Sequence, residues 1–397
     1  MGIYLDHAAT APMPPAVRAA FLDALGEVGN PSSIHAAGQR ARDVLEHGRE
    51  RVAASIGADA VEIVFTGGGT EAVNLGVKGL YWARAPRTRI LTTRAEHHAT
   101  LDSVQWLEQH EGASIEWIPV DEVGRIRLDA LEAALARDPE TVALVTALWA
   151  NNEVGTLQPG AEIVALAAAH GVPVHLDAIA AYGQVPIDVR AVPAAALSVS
   201  AHKIGGPVGI GALYVARATV LEPLQHGGNQ QRARSGTQDA AGAAAFGLAA
   251  DGATTDLPSR AAALAARRDR LVAGILDSVP GARLRGDPDP AGRLPGNAHL
   301  TFEGCEGDSL LFLLDLEGIQ VSTGSACQAG VPEPSHVVLA LGLDEATARG
   351  SLRFSLGDET TDADIDRVLA VLPRVVATAR EAGLAGRAPR LGGPVRE

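Results

Sequence analysis

The sequence predicts an α/β protein, in which a large domain with a mostly parallel central sheet is joined to a smaller α+β C-terminal domain. Three observations carry that prediction. From about residue 15 to 255, short apolar runs alternate with longer amphipathic ones, the pattern of a parallel sheet covered by helices on both faces. From Asp256 onward the alternation gives way to a less regular mixture of strand and helix signals. The chain of 397 residues, 47% hydrophobic, is long enough to bury more than one core.

In chain order, the strands of the first lobe are expected over Val61 to Thr66, Arg89 to Thr93, Ile115 to Val120, Val142 to Ala147, Val172 to Leu176, Leu197 to Ser200 and Ile210 to Val215. Helices lie between them at Thr70 to Arg84, Leu128 to Arg137 and Ala161 to His170, the last two closed by Pro139 and Gly171. The second lobe opens with a helix over Asp256 to Asp277, capped by Asp256. Ala298 to Phe302, Gly307 to Glu317, His336 to Leu341, Ser351 to Leu356 and Asp362 to Ala379 follow. These elements divide the chain into a large domain (15–255), a small domain (1–14 with 256–382) and a Gly-, Pro- and Arg-rich tail (383–397) that reads as disordered.

A formal net charge of −14 argues against unaided binding to nucleic acids or anionic membranes. The chain has no run of 18 apolar residues, and Met1-Gly-Ile-Tyr-Leu-Asp lacks a signal peptide's basic and apolar segments. The expected location is the cytoplasm, where Cys305 and Cys327 remain thiols.

Of the 33 basic residues, 31 are arginine, which leaves Lys78 and Lys203 as the only side-chain amines for Schiff-base chemistry. Scarcity alone reflects an Ala-, Gly- and Arg-rich composition. The setting separates the two, because Lys203 follows an apolar run within Ser200-Ala-His-Lys-Ile-Gly-Gly-Pro207, whereas Lys78 lies within a helix and reads as a surface residue. Ligands of α/β sheets collect at the carboxyl ends of strands, and the remaining motifs fall there. Thr66-Gly-Gly-Gly-Thr70 ends a strand and starts a helix, which suits either an anion cradle or a tight turn. In Glu96-His-His-Ala99 the paired histidines first suggest a metal, but no second ligand set appears and none is assigned. An imidazole such as His97 would instead stack on an aromatic cofactor, while Asp177 would either pair with a pyridine nitrogen or cap a helix.

The cysteines also separate on their surroundings. Carboxylates flank Cys305 in Phe302-Glu-Gly-Cys-Glu-Gly-Asp308 and should raise its thiol pKa. Cys327 lies in the uncharged, small-residue stretch Val321 to Val331 and is the better nucleophile, although a lone cysteine is more commonly an inert buried thiol.

In this order the motifs resemble the class V aminotransferase family of fold type I pyridoxal-phosphate enzymes, and within it the cysteine desulfurases of the NifS and IscS group. The resemblance runs through Tyr4-Leu-Asp-His-Ala-Ala-Thr10, Asn30-Pro-Ser-Ser-Ile-His35, Gly68-Gly-Thr-Glu71, Glu96-His-His-Ala99, Asn151-Asn-Glu-Val-Gly155, Ser200-Ala-His-Lys203, His226-Gly-Gly228, Arg234-Ser-Gly-Thr237, Ser325-Ala-Cys327 and Arg349 to Gly357. It covers all but the tail.

The resemblance implies that Lys203 carries pyridoxal 5'-phosphate, that His97 stacks on it and that Asp177 faces its ring nitrogen. Gly69, Thr70, Ser200 and His202 would bind the phosphate together with Thr237 from a partner subunit, which makes the enzyme a homodimer. Asn152 and Arg353 would hold the L-cysteine substrate, Arg353 by a fork on its carboxylate. Cys327 would take the sulfur as a persulfide and hand it to an acceptor protein, leaving L-alanine, with Lys203 and His97 as proton carriers. Three departures stand out: Ala180 where a glutamine is usual, His226-Gly-Gly-Asn-Gln-Gln231 after the paired glycines, and Gln-Ala-Gly after Cys327. The last two suggest a specialised acceptor. Open alternatives are a selenocysteine lyase, a cysteine C–S lyase or an aminotransferase of the same fold, and a non-enzymatic sulfur-transfer scaffold.

Overall fold

A computed structural model describes residues 2–324 and 334–385. Its strands are β1 (Ile3–Tyr4), β2 (Ile63–Thr66), β3 (Arg89–Thr92), β4 (Ser114–Trp117), β5 (Val142–Leu148), β6 (Val174–Asp177), β7 (Ala196–Ser200), β8 (Gly211–Val215), β9 (Ala282–Arg285), β10 (Asn297–Phe302), β11 (Ile319–Gln320) and β12 (Ser351–Ser355). Its helices are α1 (Pro15–Leu25), α2 (Ala36–Ser55), α3 (Gly69–Ala83), α4 (His98–Glu111), α5 (Leu128–Ala136), α6 (Gly160–Ala169), α7 (Ala240–Thr254), α8 (Leu257–Ser278), α9 (Gly307–Leu316), α10 (His336–Ala340), α11 (Glu345–Arg349) and α12 (Asp362–Ala385).

Seven strands form the central sheet in the order β2-β8-β7-β6-β5-β3-β4. The neighbours from β7 to β4 run parallel, and β8 alone lies antiparallel to both β2 and β7. Successive side chains of a strand point to opposite faces, and here they feed two cores. Phe65, Val145, Ala147, Val199 and Tyr214 join Leu45, Val52 and Phe246 on one face, while Val64, Leu144, Leu213 and Val215 join Val73, Leu80 and Leu107 on the other. Burial on both faces explains why these strands read as continuous apolar runs.

The small sheet, β12-β10-β9, is antiparallel and packs against α8, α9 and α12 through Leu271, Ile275, Leu300, Phe302, Leu314, Phe354, Leu372 and Val375. The N-terminal strand belongs to this body: β1 pairs with β11, and Leu5 lies in the same core.

Two expectations fail for local reasons. Asp256 does not cap α8, because its backbone is left-handed (φ 51°) and its side chain makes no capping bond, so the helix begins at Leu257 with proline in its first turn. The strand expected over Ile115 to Val120 stops at Trp117, and Val120 instead forms an isolated bridge with Ile126 across a turn.

Helices α2 and α7 approach each other along glycines. A Cβ on Gly48 would overlap the Ala243 carbonyl oxygen, and one on Gly247 would stand 2.9 Å from the Gly48 Cα. Backbone cannot yield as a flexible side chain can. Gly48→Ala is therefore expected to lower stability by about 1–3 kcal/mol, measured by denaturant unfolding, whereas an unchanged unfolding midpoint would contradict so close a crossing.

Candidate active site

Five segments meet at the carboxyl ends of the central strands. In register, Thr66 of β2, Gly211 of β8 and Ser200 of β7 lie side by side, and Asp177 at the end of β6 pairs with both Ser198 and Leu148. The Gly67–Thr70 turn follows β2, the Glu96–His98 turn lies beyond β3, and Asn151–Glu153 lies beyond β5. Topology thus brings together Gly69, Thr70, His97, Asn152, Asp177, Ser200, His202 and Lys203.

The glycine turn is built for close approach. Gly68 has φ +140° and open space where a side chain would stand, whereas a Cβ on Gly69 would meet Ile179 at 2.5 Å and the Ser200 side chain at 3.3 Å. Helix α3 begins at Gly69 without a side-chain cap, which leaves its first amides as donors. Beside them the Ser200 hydroxyl is buried without a partner. An uncapped helix start and an orphaned hydroxyl suit a phosphate. Glu71 takes the Gly67 amide at 2.6 Å and is balanced by Arg234 at 3.0 Å.

Lys203 sits on a single 3-10 turn, Ala201–Lys203, directly after β7. Its Nζ donates to the carbonyls of Ala8 at 2.5 Å and Ala9 at 3.0 Å. Burial and then the Arg353 charge push its pKa down to about 8, although Asp177 and Asp6 pull the other way. Asp177 is buried and accepts the Ile179 amide at 3.0 Å in a local turn bond. Burial raises it to about 6, so a cation placed beside it would draw it back to the carboxylate.

The imidazoles are held neutral. His97 caps α4 by accepting the Ala99 amide at Nδ1, 3.0 Å away, which puts the proton of the neutral ring on Nε2. As a residue His97 is exposed. Surrounding protein nevertheless desolvates it, and with Lys203, His98, His336 and Arg353 nearby its pKa falls to about 4. His202 falls to about 4 through burial and then Lys203. Behind the site His175 spans Thr146 at 2.9 Å and Ser198 at 2.8 Å, and burial takes it to about 3.

Arg353 and Asn152 also come together. From β12, the Arg353 Nη1 donates to the Asn152 carbonyl at 2.9 Å, and Nη2 donates to Asp6 at 2.9 Å. The Arg353 Nε and the Asn152 Oδ1 are buried without partners. Thr237 lies on the exposed approach to α7. Cys327 lies outside the described residues, but the chain on either side of that segment is tied to this cleft. Ser335 donates to the buried Glu153 at 2.5 Å, and His336 bonds the Glu96 carbonyl at 2.9 Å, next to His97.

Several sequence readings change. Lys78 is half-buried, with its amine 4.2 Å over the Trp106 ring, and burial lowers its pKa. The Cys305 thiol is raised as expected, but chiefly by burial, with Glu306 a lesser contributor and Arg380 opposing. Gln231 brackets the backbone of β2, accepting the Phe65 amide at 3.0 Å and donating to its carbonyl at 2.7 Å, while Gln230 accepts the Gly236 amide. Gln231 thus serves the backbone of β2, and Gln230 serves its own loop. Ala180 borders a small cavity shared with Asn152, Gln184, Lys203 and Asn297, so three amide-bearing residues line the cavity where a glutamine was expected. Sequence reasoning missed Asp6 and Glu153, although each lies within a motif that it quoted. It also missed Glu96, in another quoted motif, which burial raises to about 8.

With only two lysines in the chain, the amine of Lys203 can be followed individually. In cofactor-free protein its acylation by an amine reagent, followed by peptide mass spectrometry, is expected to rise with pH to a midpoint near 8, since the neutral amine is the nucleophile. A midpoint at about 10.4, the free-lysine value, would contradict the desolvated setting.

Comparison with known proteins agrees with this architecture. The family model for aminotransferase class V matches residues 3–368. An IscS-like cysteine desulfurase of Mycobacterium tuberculosis is 52% identical over 387 residues, 96% of this chain and 98% of the relative. A solved NifS-like protein superposes with a TM-score of 0.87 at 31% identity, covering 95% of this chain and all of the other. SspA, solved in complex with cysteine, gives 0.78 at 32% identity over 89% of this chain and 98% of that one. The chain belongs to the class V aminotransferase family.

Proposed function

We propose that this chain is a cysteine desulfurase, converting L-cysteine to L-alanine with pyridoxal 5'-phosphate and passing the sulfur through Cys327 to an acceptor protein. The observation that carries this reading is the Lys203 amine, lowered to about 8 between Asp177 and Arg353 beside an uncapped helix start and the orphaned Ser200 hydroxyl. The relatives named cysteine desulfurase and the neighbour solved with cysteine support the same substrate.

When bound, the cofactor supplies an electron sink for the electron pair released at the amino acid's α-carbon. Gly69 and Thr70 amides, the Ser200 hydroxyl and His202 would hold its phosphate, Asp177 would pair with its ring nitrogen and His97 would stack on the ring. Lys203 would carry it covalently and, with an amine titrating near 8, would move the α-proton at Nζ. The neutral His97 ring donates at Nε2. Arg353, with Asn152 alongside, receives the substrate carboxylate.

The Cys327 thiolate attacks the substrate sulfur. A sulfur–sulfur bond forms as the carbon–sulfur bond breaks, and the carbon keeps the electron pair and is protonated on the way to alanine. Anchoring of Ser335 to Glu153 and of His336 to the Glu96 carbonyl supports delivery of the cysteine segment to this cleft. In the homodimer we envisage, the exposed Thr237 reaches the partner's phosphate site. The acceptor belongs to iron–sulfur assembly, tRNA thiolation, or DNA or metabolite sulfuration, and the net charge of −14 favours reaching a nucleic acid through a protein. Among the described residues no helix is long and apolar enough to cross a membrane, and we place the protein in the cytoplasm.

The test is purified, cofactor-loaded protein given L-cysteine, with alanine quantified and thiols mapped by mass spectrometry. Alanine together with an added sulfur on Cys327 is expected, and Cys327→Ala should lower alanine formation by about a hundredfold or more. Full turnover by Cys327→Ala would assign a lyase instead, and absence of alanine from the wild type would overturn the desulfurase reading.

A further inference from the structure

We propose that Asp6 is a positioning residue for substrate recognition: its carboxylate and the Asn152 carbonyl together fix the plane of the Arg353 guanidinium that receives the amino acid's carboxylate. The inference rests on the desulfurase reading and adds a residue from a motif, Tyr4 to Thr10, that the reading left without a role.

Arg353 is 5% exposed on a strand buried along its whole length. A guanidinium has five donors in a rigid plane, and a carboxylate is recognised by two parallel ones. Two of the five are taken, one by Asp6 Oδ1 and one by the Asn152 carbonyl, each at 2.9 Å. Nε has no partner. The group is therefore held at both terminal nitrogens with donors to spare, a preorganised fork in which a flexible side chain has already lost its rotational freedom.

Asp6 is itself fixed. The Tyr4 hydroxyl donates to the Asp6 carbonyl at 3.0 Å and to the Thr10 carbonyl at 2.9 Å. Asp6 bridges Ser355, whose carbonyl takes the His7 amide at 3.2 Å and whose hydroxyl takes the Ala8 amide at 2.9 Å. One residue further, the Ala8 and Ala9 carbonyls hold the Lys203 amine. A single short segment thus touches the Arg353 guanidinium through a side chain and the Lys203 amine through backbone. Other groups around Arg353 are poor substitutes for the Asp6 charge: Lys203 is a cation, and His299, its partner across the sheet, is kept neutral by burial.

The experiment compares cofactor-loaded wild type with Asp6→Ala, Asp6→Asn and Asp6→Glu on L-cysteine, with two inhibitors as probes: 3-mercaptopropionate, which has the carboxylate and no amine, and cysteamine, which has the amine and no carboxylate. Asp6→Ala is expected to raise KM about tenfold or more while kcat stays within about threefold, with Asp6→Asn intermediate and Asp6→Glu largely restored. The inhibition constant of 3-mercaptopropionate should rise with KM, and that of cysteamine should not. An unchanged or lowered KM in Asp6→Ala would overturn the proposal, the latter marking Asp6 as a competing anion. Equal weakening of both inhibitors would overturn it too, as general damage to the cleft. Wild type that neither turns over L-cysteine nor binds the probes would instead overturn the desulfurase reading on which it rests.

Discussion

The cleft is organised around one amine that protein surroundings make reluctant to hold its proton. Lys203 lies on a three-residue turn at the end of a fully buried strand, so its position is set by the sheet and its charge by what the sheet places nearby. Burial and Arg353 lower its pKa, while Asp177 and Asp6 limit the fall, and the balance near 8 keeps the amine convertible between acid and base at neutral pH. A lysine on an exposed helix would have none of these constraints.

The neighbouring groups share a common electrostatic logic. His97, His202, His175 and His299 are all driven neutral by burial, and Glu96 is pushed up to about 8. The charges that remain are few and opposed: Arg353 against Asp6, and Lys203 within reach of Asp177. In a site of low effective dielectric, fixed charges act strongly and neutral imidazoles act through direction instead. His97 is the clearest case, because its Ala99 bond settles which nitrogen carries the proton.

What the sequence made legible was whatever depends on near neighbours. The apolar run of β5 and the glycines before α3 announce strand and turn by composition, and the residues at strand ends then fall together by topology. Lys203 could be told from Lys78 in the same way. What stayed hidden depends on distant partners. Asp6 and Arg353 are 347 positions apart, as are Ala8 and Ser355. Gln231 looked like a functional departure because nothing local reveals that it completes the hydrogen bonding of β2. Asp256 failed as a cap because its backbone is left-handed and its side chain makes no capping bond.

The central claim is that the amine at the end of β7 carries the cofactor. Its most direct test is borohydride reduction of the chain loaded with pyridoxal phosphate, followed by protease digestion and mass mapping of the fixed label. The account predicts one label per chain, on the peptide containing Lys203. A label on Lys78 or on the N-terminal amine in its place, or no fixed label at all, would contradict it.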